Sequence, residues 1–288
     1  MTEVAVANGS VVRRMLLGSQ LRRLREERGI TREAAGYAIR ASESKISRME
    51  LGRVSFKTRD VEDLLTLYGI RDDRDRSALL ELVREANVAG WWHSYGDVLP
   101  GWFPTYVGLE AAAASLQVYE VQLVHGLLQS QSYTEAVVTA GQPTAPAAEV
   151  ERRVGVRLER QKLLYAENAP RLHAVLDEAA LCRPYGGRAV MREQLNHLLH
   201  LIEMPNVSLQ VIPFSYAGHA ADTGAFTLLR FPDADLSDVV YVEHLTSAIY
   251  LDKAEDVARY HGEMDRLRTA GLTPQETRDL LQARLREV

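Results

Sequence analysis

Residues 31–52 read TREAAGYAIRASESKISRMELG, and this stretch decides how the rest of the chain is understood. Thr31 stands where a helix N-cap is expected, since its hydroxyl can accept from one of the free backbone N–H groups of the first turn. A helix then runs from Arg32 to about Ile39, with Arg40 and Ala41 as the turn. Ser42 caps a second helix that reaches about Leu51 and is closed by Gly52. Ala35, Ile39, Ile46 and Met49 recur at helical spacing and predict the seam between the two helices. Gly36 is small where those helices must cross closely. What faces outward on the second helix is Glu43, Ser44, Lys45, Ser47 and Arg48. Short hydrogen-bonding and cationic side chains of this kind reach base edges and phosphates from a helix in the major groove. The pattern therefore reads as a helix-turn-helix; the plainer alternative is a structural helical hairpin with a solvated basic face.

Length and charge agree with a binding motif carried on a larger body. The chain has 288 residues, enough for two domains, and at 46% hydrophobic and 25% charged it has an ordinary globular composition. The net charge of −5 is unevenly spread. Residues 1–59 hold 13 lysines and arginines against 6 acids, whereas residues 60–90 hold 4 against 8 and residues 91–288 hold 17 against 25. A basic head on an acidic body attracts phosphate without sticking to it strongly. No apolar run has the length of a membrane span or of a signal-peptide core, so a cytoplasmic protein without a membrane partner is expected. The single cysteine, Cys182, leaves no internal disulfide and no cysteine-rich zinc site.

In chain order, residues 1–17 read as a flexible arm and residues 18–89 as the DNA-binding domain. An amphipathic helix from Gly18 to Arg28 turns Leu21 and Leu24 inward. After the motif, Arg53 and Lys57 lie in a loop and are expected to touch phosphate. Thr58 reads as the cap of a helix with Val61, Leu64, Leu65 and Leu67 inside, and residues 72–89 as the last helix of this domain. Residues 90–105, GWWHSYGDVLPGWFPT, hold all three tryptophans, and their glycines and prolines exclude a regular helix. Trp91, Trp92, Trp102 and Phe103 are expected either to pack at the domain junction or to form an aromatic ligand pocket.

Residues 106–288 read as a regulatory and association domain of the α+β class with a small mixed sheet. Strands are expected at 116–123, 172–176, 207–213, 225–231, 239–244 and 248–251, with helices between and after them. The chain has no Gly-rich phosphate loop and no dinucleotide fingerprint. His197 and His200 are three apart on a helix but lack a third ligand at a matching offset. No catalytic residue, metal or cofactor is therefore expected. Asp177 and Glu178 follow a buried strand, and His219, Asp222 and Thr223 lie in a Gly/Ala-rich loop. Polar groups gathered at strand ends can form a ligand pocket, or the two carboxylates can cap the next turn beside an ordinary surface loop.

The segments LRRLREERGITREAA, SKISRMELGR and VEDLLTLYGI, within residues 16–70, resemble the lambda-repressor-like (Xre-type) helix-turn-helix family. The resemblance implies an all-α N-terminal domain with residues 42–48 along the major groove. It puts Glu43, Ser44 and Arg48 at base-reading positions, and Arg32 and Lys45 on phosphate. It makes Glu50 the inward acid that pairs with Arg25. Two residues depart from the family pattern: Glu43 where a neutral or basic side chain is usual, and Arg40 where the turn often has glycine. The segments VLDEAALCRPYGG, MPNVSLQVIPF, FTLLRFPDAD and VVYVEHLTSAIYL, together with residues 90–133, resemble the C-terminal domain of the actinobacterial WhiJ-like regulators. There His125 stands where proline is usual, and Cys182 where a basic residue is common. That resemblance implies gene regulation, often beside genes for small partner proteins, some of them BldB-like, and no agreed chemistry for the C-terminal domain. Since a single recognition helix contacts few bases, a homodimer on paired half-sites of double-stranded DNA is expected, with the C-terminal domain answering to a small molecule or to a small partner protein.

Overall fold

The structure, a computed structural model, describes residues 3–216, 218, 224–233 and 236–288, with side chains from Ser10 onward. The chain divides into two compact units at Ser94–Tyr95, with Asp233–Leu236 grouped with the first.

The first unit is helical: α1 (Glu3–Glu27), α2 (Arg32–Ala38), α3 (Glu43–Glu50), α4 (Thr58–Leu67) and α5 (Asp73–Ala86). The flexible arm expected over residues 1–17 is corrected here, because α1 begins well before Gly18. Val11, Met15, Leu17 and Leu21 are all buried, so the apolar stripe runs straight through the glycine. Gly18 is a crossing point rather than a helix start. A Cβ there would lie 2.5 Å from the Met49 carbonyl oxygen and 2.6 Å from that of Glu50, so only glycine lets α1 approach the end of α3. The core joins Leu17 and Leu21 to Ala35, Ile39, Ile46, Met49, Phe56, Val61, Leu64 and Leu65. Leu67, expected inside, is exposed, and Tyr68 is buried in its place. Thr58 is the first helical residue of α4; its N-cap is Lys57, which makes no side-chain cap.

A 3-10 turn covers Trp91–Tyr95. Trp92 is buried, edge-on to Trp91 at 5.9 Å between ring centroids and stacked on His93 at 6.0 Å. Trp102 and Phe103 belong to the second unit and open α6 (Phe103–Ala112), with Pro104 in its first turn.

The second unit continues with β1 (Ser115–Glu120), α7 (Gln131–Gly141), α8 (Ala147–Gln161), β2 (Arg171–Asp177), α9 (Ala179–Cys182), α10 (Arg188–Leu201), β3 (Val207–Ile212), β4 (Phe226–Arg230), β5 (Val239–Glu243), β6 (Ala248–Leu251), α11 (Ala254–Ala270) and α12 (Pro274–Glu287). The sheet order is β3-β2-β1-β4-β5-β6. The first three strands pair in parallel through helical crossovers, while β4, β5 and β6 join antiparallel, giving an α+β domain with a mixed sheet. Alternation splits the faces cleanly. Tyr119, Val175, Phe226, Leu228 and Val240 form one face with Val257, Met264 and Leu267 of α11. Val118, Thr227 and Tyr241 are buried on the other.

Candidate nucleic-acid interface

The two motif helices are capped as their sequence requires. Thr31 Oγ1 accepts from the Ala34 N–H at 3.1 Å, and Ser42 Oγ from the Lys45 N–H at 3.3 Å. Between them Arg40 has φ = +54°, the only left-handed residue other than glycine among the described residues. Gly36 permits the tight turn: a Cβ on it would sit 2.8 Å from the Ala41 carbonyl oxygen.

The pair is locked from beneath by an ion cluster. Arg25 Nε donates to Glu50 Oε1 at 2.5 Å and its Nη2 to Oε2 at 3.1 Å, while its Nη1 reaches the Ile30 carbonyl at 2.8 Å. Hydrogen bonding to Glu50 raises the Arg25 pKa further despite burial. Arg32 Nε adds a third bond to Glu50 at 3.0 Å. Arg32 is thus held at the foot of α2, its side chain 33% exposed. Lys45 is similarly committed, its ammonium paired with Asp60 of α4. Both side chains thus tie α2 and α3 to the domain.

The open face is narrower than the sequence suggests. Ser42, Glu43, Ser44 and Arg48 are exposed along α3, and Lys57 is exposed in the loop that follows; Ser47 and Arg53 are partly buried. Arg48 Nε leans back on the Ser44 carbonyl at 3.3 Å, so its guanidinium lies along the helix surface. Tyr37 is a further exposed aromatic side chain of the motif. It lies on the side of α2 opposite the buried Ala35 and Ile39 and is 87% exposed, and the helical phase of the buried positions could have singled it out.

In the second unit, the carboxylates expected to line a pocket turn inward to structural tasks. Asp177 Oδ1 accepts from the Ala179 N–H at 2.8 Å, as a cap does. Glu178 is buried, accepts from the Phe214 N–H at 2.7 Å and pairs with Arg284 of α12. They bind α9, the end of β3 and α12 together and leave little for a ligand. His219, Asp222 and Thr223 lie outside the described residues.

The polar groups that do converge are one strand away and carried no signature in the sequence. Arg160 of α8 makes two bonds of 2.7 Å to Glu110 of α6. Burial works against the Glu110 carboxylate, but the Arg160 guanidinium outweighs it and holds its pKa below the ordinary range. The same guanidinium lies 5.1 Å from the Phe103 ring centroid and 5.3 Å from that of Tyr106. Phe103 is therefore packed, part-buried, within the second unit. Tyr106 stacks on Tyr241 at 4.2 Å and meets His125 Nε2 at 3.4 Å through its hydroxyl. Burial lowers the His125 pKa to about 4.

Residues 16–79 match a helix-turn-helix domain, and residues 103–283 match a domain of unknown function, DUF5753. The chain belongs to the DUF5753 family. No curated protein and no solved structure matches it. In this DUF5753 protein the helix-turn-helix domain supports a DNA-binding regulator in preference to an enzyme. Among the described residues no helix is long and apolar enough to cross a membrane, and no group of three or more His, Cys, Asp or Glu side chains could hold a metal ion.

Proposed function

We propose that this DUF5753 protein is a sequence-specific, cytoplasmic transcriptional regulator of the Xre type, akin to the WhiJ-like regulators. In this reading it acts as a homodimer and its C-terminal domain answers to a signal. The observation that carries this is the exposed face of α3: four polar side chains, Ser42, Glu43, Ser44 and Arg48, on a helix rigidly held by the buried Arg25–Glu50–Arg32 cluster. A reading helix must present base-seeking groups without itself moving, since loose presentation loses discrimination. Arg48 is assigned to guanine, Ser44 to either base type, and Glu43 to the cytosine amino group. Ser42, Ser47, Arg53, Lys57 and Tyr37 supply the flanking backbone contacts. Arg32 and Lys45 act chiefly by orienting α2 and α3, with phosphate contact as a second role. One recognition helix touches few bases, so two copies on paired half-sites are the expected remedy. The proposal separates two domains, residues 18–89 for DNA and 106–288 for regulation and association.

The test is binding of the full-length protein to DNA from its own upstream region. Arg48→Ala is expected to cost roughly 1–3 kcal/mol on the specific site and little on random DNA. Equal loss on both would make Arg48 a phosphate contact.

A second reading, a C-terminal domain that captures a small partner protein, is favoured by the β5–β6 hairpin. Leu245 at its turn is 98% exposed and Ile249 on the edge strand β6 is 46% exposed, so the hairpin offers apolar contact and an unpaired edge together. A pull-down with the full chain distinguishes a stoichiometric partner from self-association.

A further inference from the structure

The carboxyl end of β1 is where the sheet reverses its growth, with parallel β2 on one side and antiparallel β4 on the other. Such reversal points open a crevice at the strand ends. By register, Glu120 of β1, Thr227 of β4, and Tyr241 and Glu243 of β5 all lie on the face away from α11. Two adjoining cavities occupy this place. The inner one, about 340 Å³, is lined by polar groups including Glu120, His125, Arg157 and Tyr241. The outer one, about 740 Å³, is walled by Leu99, Val137, Val138, Val156 and other apolar groups. Phe103, Gln122, Leu123, Arg157 and Glu243 line both.

Arg157 stands at that shared wall. Arg160, one turn along α8, spends its guanidinium on Glu110, but Arg157 makes no hydrogen bond or ion pair with the described residues. Burial pulls its pKa down to about 10, which still leaves it charged. Two more groups stand beside it. The Tyr241 hydroxyl is buried without a hydrogen bond of ordinary geometry; burial, then the Glu243 carboxylate beside it, raises its pKa. The Glu120 carboxyl is pushed up to about 8, first by burial and then by the nearby Glu243, so near neutral pH it is largely a protonated donor. In this part-buried cleft the Arg157 guanidinium and the Glu120 and Tyr241 O–H groups gain when a ligand supplies oxygen atoms in place of water or of the poorly placed Glu243. One guanidinium balances one negative charge, and the Glu243 carboxylate opposes a second. The fitting head group is therefore a monoanion with two acceptor oxygens, and the apolar outer chamber calls for an apolar body.

We propose that this cleft binds a small organic carboxylate with an apolar tail, its head on Arg157, Glu120 and Tyr241 and its tail in the outer chamber. The site stands on its own geometry; only its role as the regulatory input rests on the reading of the protein as a DNA-binding regulator. The outer cavity falls within the range of about 300–1,000 Å³ typical of small-molecule sites.

The experiment is calorimetric titration of the full chain with sodium hexanoate, octanoate, decanoate and 3-phenylpropanoate, each below its aggregation limit. Acetate supplies the head without the tail, and octan-1-ol the tail without the head. At least one tailed carboxylate is expected to bind one per chain, at least tenfold tighter than octan-1-ol and a hundredfold tighter than acetate. Arg157→Gln is expected to weaken it at least tenfold while leaving octan-1-ol unchanged. Ala140→Trp, an exposed position on the outer rim, is expected to weaken both, which keeps the test open if the Arg157 variant does not fold. No saturable binding across the series, octan-1-ol binding as tightly as octanoate, or carboxylate binding that survives Arg157→Gln would each overturn the proposal. DNA binding is measured separately, so loss of one reading leaves the other standing.

Discussion

Arg40 occupies left-handed backbone that costs a side chain roughly 1–2 kcal/mol, and its side chain is exposed. Arg40→Gly is expected to stabilise the helix-turn-helix unit by about 0.5–1 kcal/mol, less than the full relief because glycine also loosens the unfolded chain. Denaturant unfolding followed by helix signal measures this, and Arg40→Ala is expected to give no such gain. Glu50 is the opposite case. Removing it by Glu50→Ala leaves the buried Arg25 with only the half-exposed Glu26 as an ion partner, a loss of about 3 kcal/mol, whereas replacing both with leucine is expected to recover most of it. In the second unit His125 is buried and its pKa is depressed to about 4, so the folded state resists protonation. Its contribution is present above the ordinary histidine pKa of about 6.5 and is lost as pH falls toward 4, an effect of roughly 3 kcal/mol. The pH dependence of stability in that window is expected to flatten in His125→Asn; an unchanged slope would mean other groups set it.

At the scale of elements, close helix crossings depend on glycines whose need is steric. Gly18→Ala places a methyl against two α3 carbonyls and Gly36→Ala against the turn, each expected to cost about 1–3 kcal/mol in the same unfolding measurement. Much of this was legible beforehand. Thr31, Ser42 and Gly52 marked the ends of α2 and α3, and alternation or helical phase placed the six strands and the closing helices within a few residues. The inward pairing of Glu50 with Arg25 followed from family resemblance rather than from spacing. The start of α1 was not legible, because a weakly helical stretch around Asn8–Ser10 is carried by tertiary burial of Val11 and Met15. The ion pairs of Arg32 and Lys45 were not legible, because their acids, Glu50 and Asp60, are distant in sequence. The cleft of Glu120, Arg157 and Tyr241 had no motif to betray it. It draws single residues from β1, α8 and β5, which only the sheet order brings together.

At the scale of the whole molecule, charge and architecture divide the labour. In the proposed function the basic N-terminal residues attract phosphate and the acidic remainder limits non-specific adhesion. The measurement that tests this account most directly is fluorescence anisotropy of the full-length protein with fragments of its own upstream region and with random DNA of equal length, at fixed moderate salt. The account predicts binding to one upstream fragment about a thousandfold or more tighter than to random DNA, with Arg48→Ala erasing much of that gap. Weak binding of equal strength to all fragments, indifferent to Arg48→Ala, would contradict it.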